Sequence, residues 1–271
     1  MHSPATQSAG APPISLGGLL GSSVLLLAGL MAGAGQAEIR PSFDQPPLRA
    51  NLPASCSGVG ADLPAQRERL QQAYASDFPL FQQRLASLVT RNNNIGGMVV
   101  RFPLQEKVVY RGSILSGNPA CLSQLRQADK VETIVNLYSG NLVNEDKLAS
   151  EEQAAFASLK GHSYVHILHF LDRLAPGETM AELERRIATI IRTIEVAAGN
   201  VLIHCVGGWH RTGLVYGVMQ KCINQTPMPL VIEEYKQHTG WQSAQQPVFY
   251  RAGDVELLQR FDCRRAGLVP R

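Results

Sequence analysis

The strongest constraint on the fold of this chain is a short, wholly apolar run, Val201-Leu202-Ile203, between a helical pattern and a glycine-containing loop. An apolar run of this length, bounded by turn residues, is typical of a central parallel strand that is covered on both faces. Parallel strands need crossover connections, which are usually helices. The run therefore favours an α/β fold, in which a sheet lies between helices.

The surrounding sequence alternates between strand and helix patterns, as that architecture requires. Thr179-Met180-Ala181-Glu182 is a capping box, and it opens an amphipathic helix that Gly199 ends. Strands are predicted at residues 98–100, 108–111, 132–137, 164–168 and 201–203, and helices at 120–128 and 151–159. We expect an α/β fold with a parallel-rich central sheet flanked by helices, and ligands beyond the carboxyl ends of its strands.

The N-terminal segment has the composition of a targeting sequence. Residues 1–37 contain no charged side chain, and the stretch from Ile14 to Ala34 is a nearly continuous apolar run. Gly35-Gln36-Ala37 offers the small residues of a cleavage site, which predicts a signal peptide that is cleaved after Ala37. Because the first residues carry no Lys or Arg, an uncleaved membrane anchor through residues 14–34 is the alternative. Both interpretations export the rest of the chain, either to the periplasm or exterior, or as a membrane-anchored form that faces outward.

Three further segments and a tail complete the expected organisation. Residues 38–61 are rich in Pro, Ser, Gly and Ala, which predicts a linker. Residues 62–94 are predicted to form a helical extension that Pro79 breaks into two helices, with apolar residues at spacings of three and four: Leu70, Tyr74, Phe78, Phe81 and Leu85. Residues 95–263 are expected to fold as one globular domain. The tail, 264–271, ends in LVPR, a thrombin recognition sequence of the kind that an expression tag leaves.

Charge and cysteine count narrow the classes of function. A formal net charge of +3 and a pI near 8.6 describe a mildly basic chain without the dense Lys/Arg stripes of nucleic-acid-binding proteins, so no nucleic-acid partner is expected. The five cysteines are an odd number. If Cys205 stays a free thiol, the other four allow up to two disulfides, whose pairing the sequence leaves open. The alternative for Cys222 is a buried thiol on a helix.

The loop after the apolar strand contains the side chains that are best placed to bind and react with a ligand. Cys205 is followed six residues later by Arg211, and glycines lie between them. Glycines let successive N–H groups turn inward as a nest for an anion, and the helix starting near Thr212 aims its positive end at the same point. These donors would hold the sulfur as a thiolate, while the Thr212 hydroxyl donates to it. We therefore expect a phosphate site with Cys205 as nucleophile, built from these residues: Val206, Gly207, Gly208, Trp209, His210 and Arg211.

These residues also carry a family resemblance. The sequence His-Cys-x5-Arg-Thr-Gly from His204 to Gly213 resembles the active-site signature of protein tyrosine and dual-specificity phosphatases, most closely the atypical dual-specificity phosphatases of plants and fungi and exported bacterial relatives. The likeness covers roughly residues 96–225, including YRGS at 110–113 and TIVNL at 133–137. It implies a phosphocysteine intermediate without metal or cofactor. The implied substrates carry phosphotyrosine, or also phosphoserine or phosphothreonine, in a phosphoprotein or a phosphorylated small molecule.

The resemblance further implies an aspartate that protonates the leaving oxygen. Asp172 follows the strand that ends near His169, with room for a loop, a helix and a strand before Cys205, and it is the predicted general acid. Glu178 is the runner-up, although its place beside the capping box gives it a structural reason. His204 is predicted to bond the loop backbone. Trp209 is equally compatible with substrate contact and with packing against a neighbouring loop.

Other functions fit the sequence less well. A phosphoinositide or inositol phosphate phosphatase has the same fold, but the loop lacks the Lys charge that polyphosphorylated rings usually meet. A rhodanese-type sulfurtransferase also places a Cys at a strand end, yet its loop is typically shorter and does not end in Arg-Thr-Gly. A catalytically silent phosphate-binding module would lack the Cys, the Arg or the Asp, and this chain has all three.

Overall fold

The computed structural model describes residues 50, 52, 54–56, 69–81, 84, 94–115, 118–138, 143–168, 174, 176–239 and 250–269. All of them belong to the second of the two compact units of the chain, Pro41–Arg271. The predicted signal peptide or anchor, residues 1–37, lies outside the described residues, and so does Asp172. Within the described ranges, no helix combines the length and the apolar character that a membrane span needs.

A five-stranded sheet forms the centre of the molecule. Its strands follow the spatial order β1-β2-β5-β3-β4, with β1 and β2 antiparallel and the other neighbours parallel. Their bounds are β1 Gly96–Arg101, β2 Glu106–Gly112, β3 Val131–Asn136, β4 Ser163–His166 and β5 Asn200–His204. The prediction of an α/β fold with a parallel-rich central sheet is confirmed.

Helices cover the sheet and connect its parallel strands. Their bounds are α1 Pro119–Gln127, α2 Val143–Ala157, α3 Met180–Val196, α4 His210–Cys222, α5 Met228–Thr239 and α6 Ala252–Arg260. The capping box is present: the Thr179 hydroxyl accepts from the Glu182 amide, and the Glu182 carboxylate accepts from the Thr179 amide. Helix α2 begins at Val143 rather than at the predicted residue 151, because the residues before 151 include helix formers such as Glu145, Lys147 and Leu148.

Strand β5 lies between two layers of apolar side chains. Val201, Leu202 and Ile203 are fully buried, as predicted for a central strand. Val201 and Ile203 pack into the cluster that includes residues of α3, α4 and α6, whereas Leu202 packs into the cluster on α1. This alternation follows from the period of two along a strand. The burial fixes β5, and with it the loop that follows, relative to both layers.

The helical extension is described only in part. Residues 69–73 and 78–81 are helical, with a turn at 74–76 between them. The break therefore precedes Pro79, which lies in the first turn of the second helix. Proline is tolerated there because the missing N–H would have no partner within the helix.

Two disulfides are present. Cys56 pairs with Cys121 at the start of α1, and Cys222 at the end of α4 pairs with Cys263. The alternative that Cys222 is a buried thiol is therefore wrong. Cys205 is the cysteine that remains free.

The C-terminal residues pack against α3. The Arg265 guanidinium donates to both carboxylate oxygens of Glu184, with Nη2 2.7 Å from Oε1. Leu268 is buried in the larger apolar cluster. The described part of the segment 264–271, residues 264–269, thus belongs to the packed domain.

Candidate active site

The loop of residues 205–209 joins β5 to α4 at the carboxyl end of the central strand. His204, the last residue of β5, lies in register with Gly112 of β2 on one side and with Asn136 of β3 on the other. Two backbone bonds continue this pairing beyond the strands: Leu137 N donates to His204 O at 2.7 Å, and Ile114 N donates to Val206 O at 3.1 Å. The loop is thus held between the ends of two neighbouring strands, where an α/β sheet binds its ligands.

Gly208 shows why this loop needs glycine. Its φ is +70°, in the left-handed region that residues with a Cβ rarely adopt. A Cβ at this position would lie 2.5 Å from the carbonyl carbon and oxygen of Gly112. The turn and the close approach to β2 therefore both require glycine at position 208.

The loop carbonyls are held by donors from other parts of the fold. Val206 O accepts from the Ile114 amide, Gly207 O from Asn94 Nδ2 at 3.1 Å, and Gly208 O from Arg111 Nη2 at 2.6 Å. The amides of Val206, Gly207 and Gly208 donate no hydrogen bond to any part of the chain that the structure describes. The loop carbonyls are therefore used as acceptors within the fold, whereas the loop amides are left to donate to a ligand. This arrangement suits a site for an anion.

The two residues predicted to handle phosphate flank this loop. Cys205 is buried, with 5% of its surface exposed, at the end of β5. Arg211 is half-buried in the first turn of α4, where its Nη1 donates to Leu137 O at 2.9 Å. Its guanidinium lies 5.9 Å from the centre of the Tyr138 ring. Both the carbonyl and the ring fix the direction of the Arg211 side chain.

The other predicted site residues take the following positions. Thr212 is fully buried, and its Oγ1 forms no hydrogen bond within the described residues, including to Cys205. Trp209 and His210 are half-buried at the start of α4, with their rings edge to face at 6.2 Å. Glu178, the alternative acid, is engaged with Arg186 at 2.6 Å.

A buried contact between a histidine and a carboxylate supports the loop from the side of β4. His204 Nε2 lies 2.8 Å from Glu152 Oε2, and both side chains are fully buried. Glu152 also accepts from the Leu115 amide at 2.7 Å and from the Tyr164 hydroxyl at 3.1 Å. Burial acts to raise the pKa of Glu152, but His204 and these two hydrogen bonds outweigh it, and the pKa lies below its usual range.

The partners of His204 define its role. Its Nδ1 lies 3.2 Å from Cys205 O, and its Nε2 faces the Glu152 carboxylate. A carbonyl can only accept, so Nδ1 is the donor in the contact with Cys205 O. His204 therefore bonds the loop backbone, the arrangement expected from the sequence.

Three supporting residues were not identified from the sequence: Asn94, Arg111 and Glu152. Asn94 and Arg111 are buried, and each donates to a loop carbonyl. Burial lowers the pKa of Arg111, against the opposing effects of Glu234, Tyr216, Cys205 and Tyr235. Glu152 had a signal in the sequence, because it shares the buried face of α2 with Ala149 and Phe156 at spacings of three and four. Arg111 had one in the YRGS motif, which indicates the family but not the bond to the loop.

Comparison with known proteins gives a family and a set of distant structural likenesses. A model described as "Tyrosine phosphatase family" matches residues 99–263. No curated protein matches the chain. The solved structures that are similar include TpbA of P. aeruginosa, with a TM-score of 0.44, 18% identity, and coverage of 66% of this chain and 89% of that one.

Two further solved structures are similar at comparable levels. The core catalytic domain of the PP-IP phosphatase SIW14 from S. cerevisiae has a TM-score of 0.40 and 20% identity, over 57% of this chain and 80% of that one. Human DUSP28 has a TM-score of 0.36 and 18% identity, over 60% of this chain and 91% of that one.

Proposed function

The chain belongs to the tyrosine phosphatase family, and from that premise we propose that it hydrolyses phosphomonoesters, with phosphotyrosine in proteins as the main substrate and phosphoserine or phosphothreonine as further ones. The observation that carries the proposal is the loop after β5. Its carbonyls are tied to other elements, its amides at 206–208 make no bond within the described residues, and it lies between a free Cys205 and Arg211. This arrangement suits a tetrahedral dianion next to a sulfur nucleophile.

The proposed reaction has two steps. The sulfur of Cys205 attacks phosphorus and the bond to the leaving oxygen breaks, while Asp172 gives that oxygen a proton. Water then attacks the phosphocysteine with Asp172 as base, which releases phosphate and restores Cys205 and the protonated Asp172. Arg211 holds two phosphate oxygens with its planar fork through both steps, a geometry that Lys does not provide.

The residues between Cys205 and Arg211 favour a singly phosphorylated substrate. They are Val206, Gly207, Gly208, Trp209 and His210, with no Lys among them. A phosphoinositide or inositol phosphate carries several phosphates and is best held by additional cations. It is the alternative substrate class, and a rhodanese-type sulfur transfer is a more distant one.

The first experiment measures turnover of p-nitrophenyl phosphate by the wild type, Cys205→Ser, Asp172→Ala and Glu178→Ala. We expect no turnover for Cys205→Ser, because the hydroxyl is a far weaker nucleophile than a thiolate. The loss for Asp172→Ala should be smaller on this good leaving group than on alkyl phosphates, and Glu178→Ala should behave like the wild type. Equal losses on both substrates would displace Asp172 as the acid.

A second experiment assigns the substrate class. The wild type is assayed for phosphate release from phosphotyrosine, phosphoserine and phosphothreonine peptides and from inositol phosphates. We expect the highest kcat/KM on phosphotyrosine peptides. A higher value on inositol phosphates would replace the protein substrate with the alternative.

The proposal includes export of the catalytic part. Two disulfides support it, because such bonds form and persist mainly in oxidising compartments. Expression of the full chain in a bacterium, followed by fractionation and N-terminal sequencing, tests it. We expect a mature protein that begins at residue 38; an intact N-terminus in the membrane fraction would identify the anchor, and a full-length protein in the cytoplasm would contradict export.

A further inference from the structure

The loop that we assign to phosphate is held from behind by two side chains outside its own sequence. Gly207 O accepts from Asn94 Nδ2, across 113 positions of sequence, and Gly208 O accepts from Arg111 Nη2, across 97. Both donors are buried. Neither lies between Cys205 and Arg211, the segment that supplies the predicted contacts to phosphate.

Peptide geometry links these two carbonyls to two amides. In a planar trans peptide, the C=O of one residue and the N–H of the next point in opposite directions. The bond from Asn94 to Gly207 O therefore directs the Gly208 amide away from Asn94. In the same way, the bond from Arg111 to Gly208 O directs the Trp209 amide away from Arg111. Glycine residues rotate more freely than others, so this loop in particular needs external ties to fix its amides.

The Asn94 side chain is held in one position by its surroundings. Its backbone φ is +48°, a region that Asn adopts more readily than most residues, and the residue has no exposed surface. Its Oδ1 accepts from His238 Nδ1 at 2.7 Å, while its Nδ2 donates to Gly207 O and to His238 O, each at 3.1 Å. The two carbonyls can only accept, which fixes the amide orientation. Every hydrogen-bonding group of the side chain is used.

Arg111 provides the second tie. Only 1% of its surface is exposed, and its guanidinium lies 5.2 Å from the centre of the Tyr216 ring. A buried cation held against a ring has little freedom to move. Its bond to Gly208 O, at 2.6 Å, places that carbonyl on the side of β2.

We propose that Asn94 and Arg111 are positioning residues that aim the Gly208 and Trp209 amides at the phosphate by holding the Gly207 and Gly208 carbonyls. The inference rests on the function proposed above, since it assumes that the loop binds phosphate. Neither side chain is required to touch the substrate. Their loss should therefore weaken oxoanion binding and turnover in a protein that still folds.

The test uses tungstate, a tetrahedral oxoanion, as a competitive inhibitor of p-nitrophenyl phosphate hydrolysis by the full chain. Asn94→Gly removes the tie and keeps a residue that accepts a positive φ. Asn94→Asp keeps the acceptor for His238 but replaces the donor to Gly207 O with an oxygen. We expect both variants to raise the tungstate Ki about tenfold, as for loss of one bond to a charged group, and to lower kcat/KM at least as much.

Asn224 offers a matched control. Its Nδ2 donates to Val99 O at 2.8 Å and its Oδ1 accepts from Arg101 N at 3.1 Å, on strand β1 and with no loop residue among these partners. Asn224→Gly and Asn224→Asp make the same chemical changes at another backbone carbonyl. We expect both to leave the tungstate Ki within about twofold of the wild type, whatever they do to the unfolding midpoint.

The outcomes separate this inference from the proposed function. Folded Asn94 variants with an unchanged Ki, or Asn224 variants with an equal rise, would overturn the positioning role while the phosphatase assignment stands. If the Asn94 variants do not fold, Arg111→Lys decides: it keeps the charge but lacks the planar fork, and a Ki equal to that of the wild type would count against the inference. A wild type that neither hydrolyses the substrate nor binds tungstate would overturn the proposed function and this inference with it.

Discussion

Gly208 makes the strictest steric demand of the residues in the loop. A Cβ there would lie 2.5 Å from Gly112 carbonyl atoms, and the backbone has φ +70°. We expect Gly208→Ala to lower kcat/KM for p-nitrophenyl phosphate at least about a hundredfold, because the loop must move away from β2 and misplace its donors. Steady-state kinetics measures this.

The matched control is Gly253→Ala in α6, where a Cβ meets nothing within 4 Å. Alanine has a higher helix propensity than glycine, so this variant should keep full activity and gain up to about 1 kcal/mol of unfolding free energy. If Gly208→Ala were as active as Gly253→Ala, the loop would have to adopt more than one arrangement.

Glu152 is the second residue with a large expected effect. Its side chain is fully buried, accepts from the Leu115 amide and the Tyr164 hydroxyl, and lies 2.8 Å from His204 Nε2. Glu152→Gln should lower the unfolding free energy by about 1–3 kcal/mol, because whichever carboxylate oxygen becomes the NH2 group then faces a buried donor. Urea denaturation at neutral pH measures the loss. The exposed pair of Glu256 with Arg260 is the control, since Glu256→Gln should cost less than about 1 kcal/mol.

The same carboxylate predicts an acid dependence of stability. The pKa of Glu152 is lower in the folded protein than its ordinary value of about 4.3, so its contribution is complete above that pH and is lost as the pH falls through the lowered folded value. Urea midpoints measured from pH 7 to pH 3 should therefore fall for the wild type. The fall should be shallower in Glu152→Gln, and parallel curves would show that Glu152 is not the titrating group.

Among single residues, the sequence predicted the site residues that are close together in the chain. It missed the role of the distant residues that hold the loop. The run from Cys205 to Arg211 is a local pattern whose glycines, strand and helix can be read together. Asn94 reaches the loop across 113 positions and Arg111 across 97. Nothing in the neighbours of Asn94 shows that its amide lies against Gly207, because that contact depends on how the strands are ordered.

Among the elements, the junction of β2 with α3 carries a testable contact. Lys107 is 5% exposed, and its ammonium group donates to the last carbonyls of α3 and the residue after it, at 3.0 Å to Ile194 O, 3.1 Å to Glu195 O and 2.5 Å to Ala197 O. Burial lowers the pKa of Lys107, and Glu195 partly opposes that effect. Lys107→Met should lower the unfolding free energy by about 1–3 kcal/mol, because it leaves helix-end carbonyls without a donor.

Lys147 provides the comparison for Lys107. It lies on α2 with 79% of its side chain exposed and a 3.7 Å contact to Glu151. Chemical denaturation of Lys147→Met should show a change within about 0.5 kcal/mol. Equal losses for the two methionine variants would mean that the Lys107 contacts contribute no more than a surface ion pair.

The success of prediction also differs between elements. The start of α3 was predicted to the residue, because Thr179 and Glu182 bond each other within one helical turn. The start of α2 was wrong, because its first two turns, residues 143–150, contain polar residues that are equally typical of a loop. The order β1-β2-β5-β3-β4 was not predicted, since a strand pattern states which residues are buried but not which strand lies beside it.

The two disulfides predict how many thiols of the chain can be titrated before and after reduction. Denatured without a reductant, the chain should titrate one thiol, that of Cys205, and five after full reduction. Reduction should also lower the unfolding free energy, by about 2–5 kcal/mol for each bond removed. Three thiols in the unreduced chain would show that one of the bridges does not form.

The covalent pairing of the other four cysteines has a chemical consequence for Cys205. A peroxide converts a reactive thiolate to a sulfenic acid, and many enzymes protect that species by condensing it with a second thiol of their own. This chain has no second thiol that could condense with the sulfenic acid, because its other four cysteines form the two disulfides. Protection of an oxidised Cys205 as a disulfide would therefore need a thiol from a small molecule or from another protein.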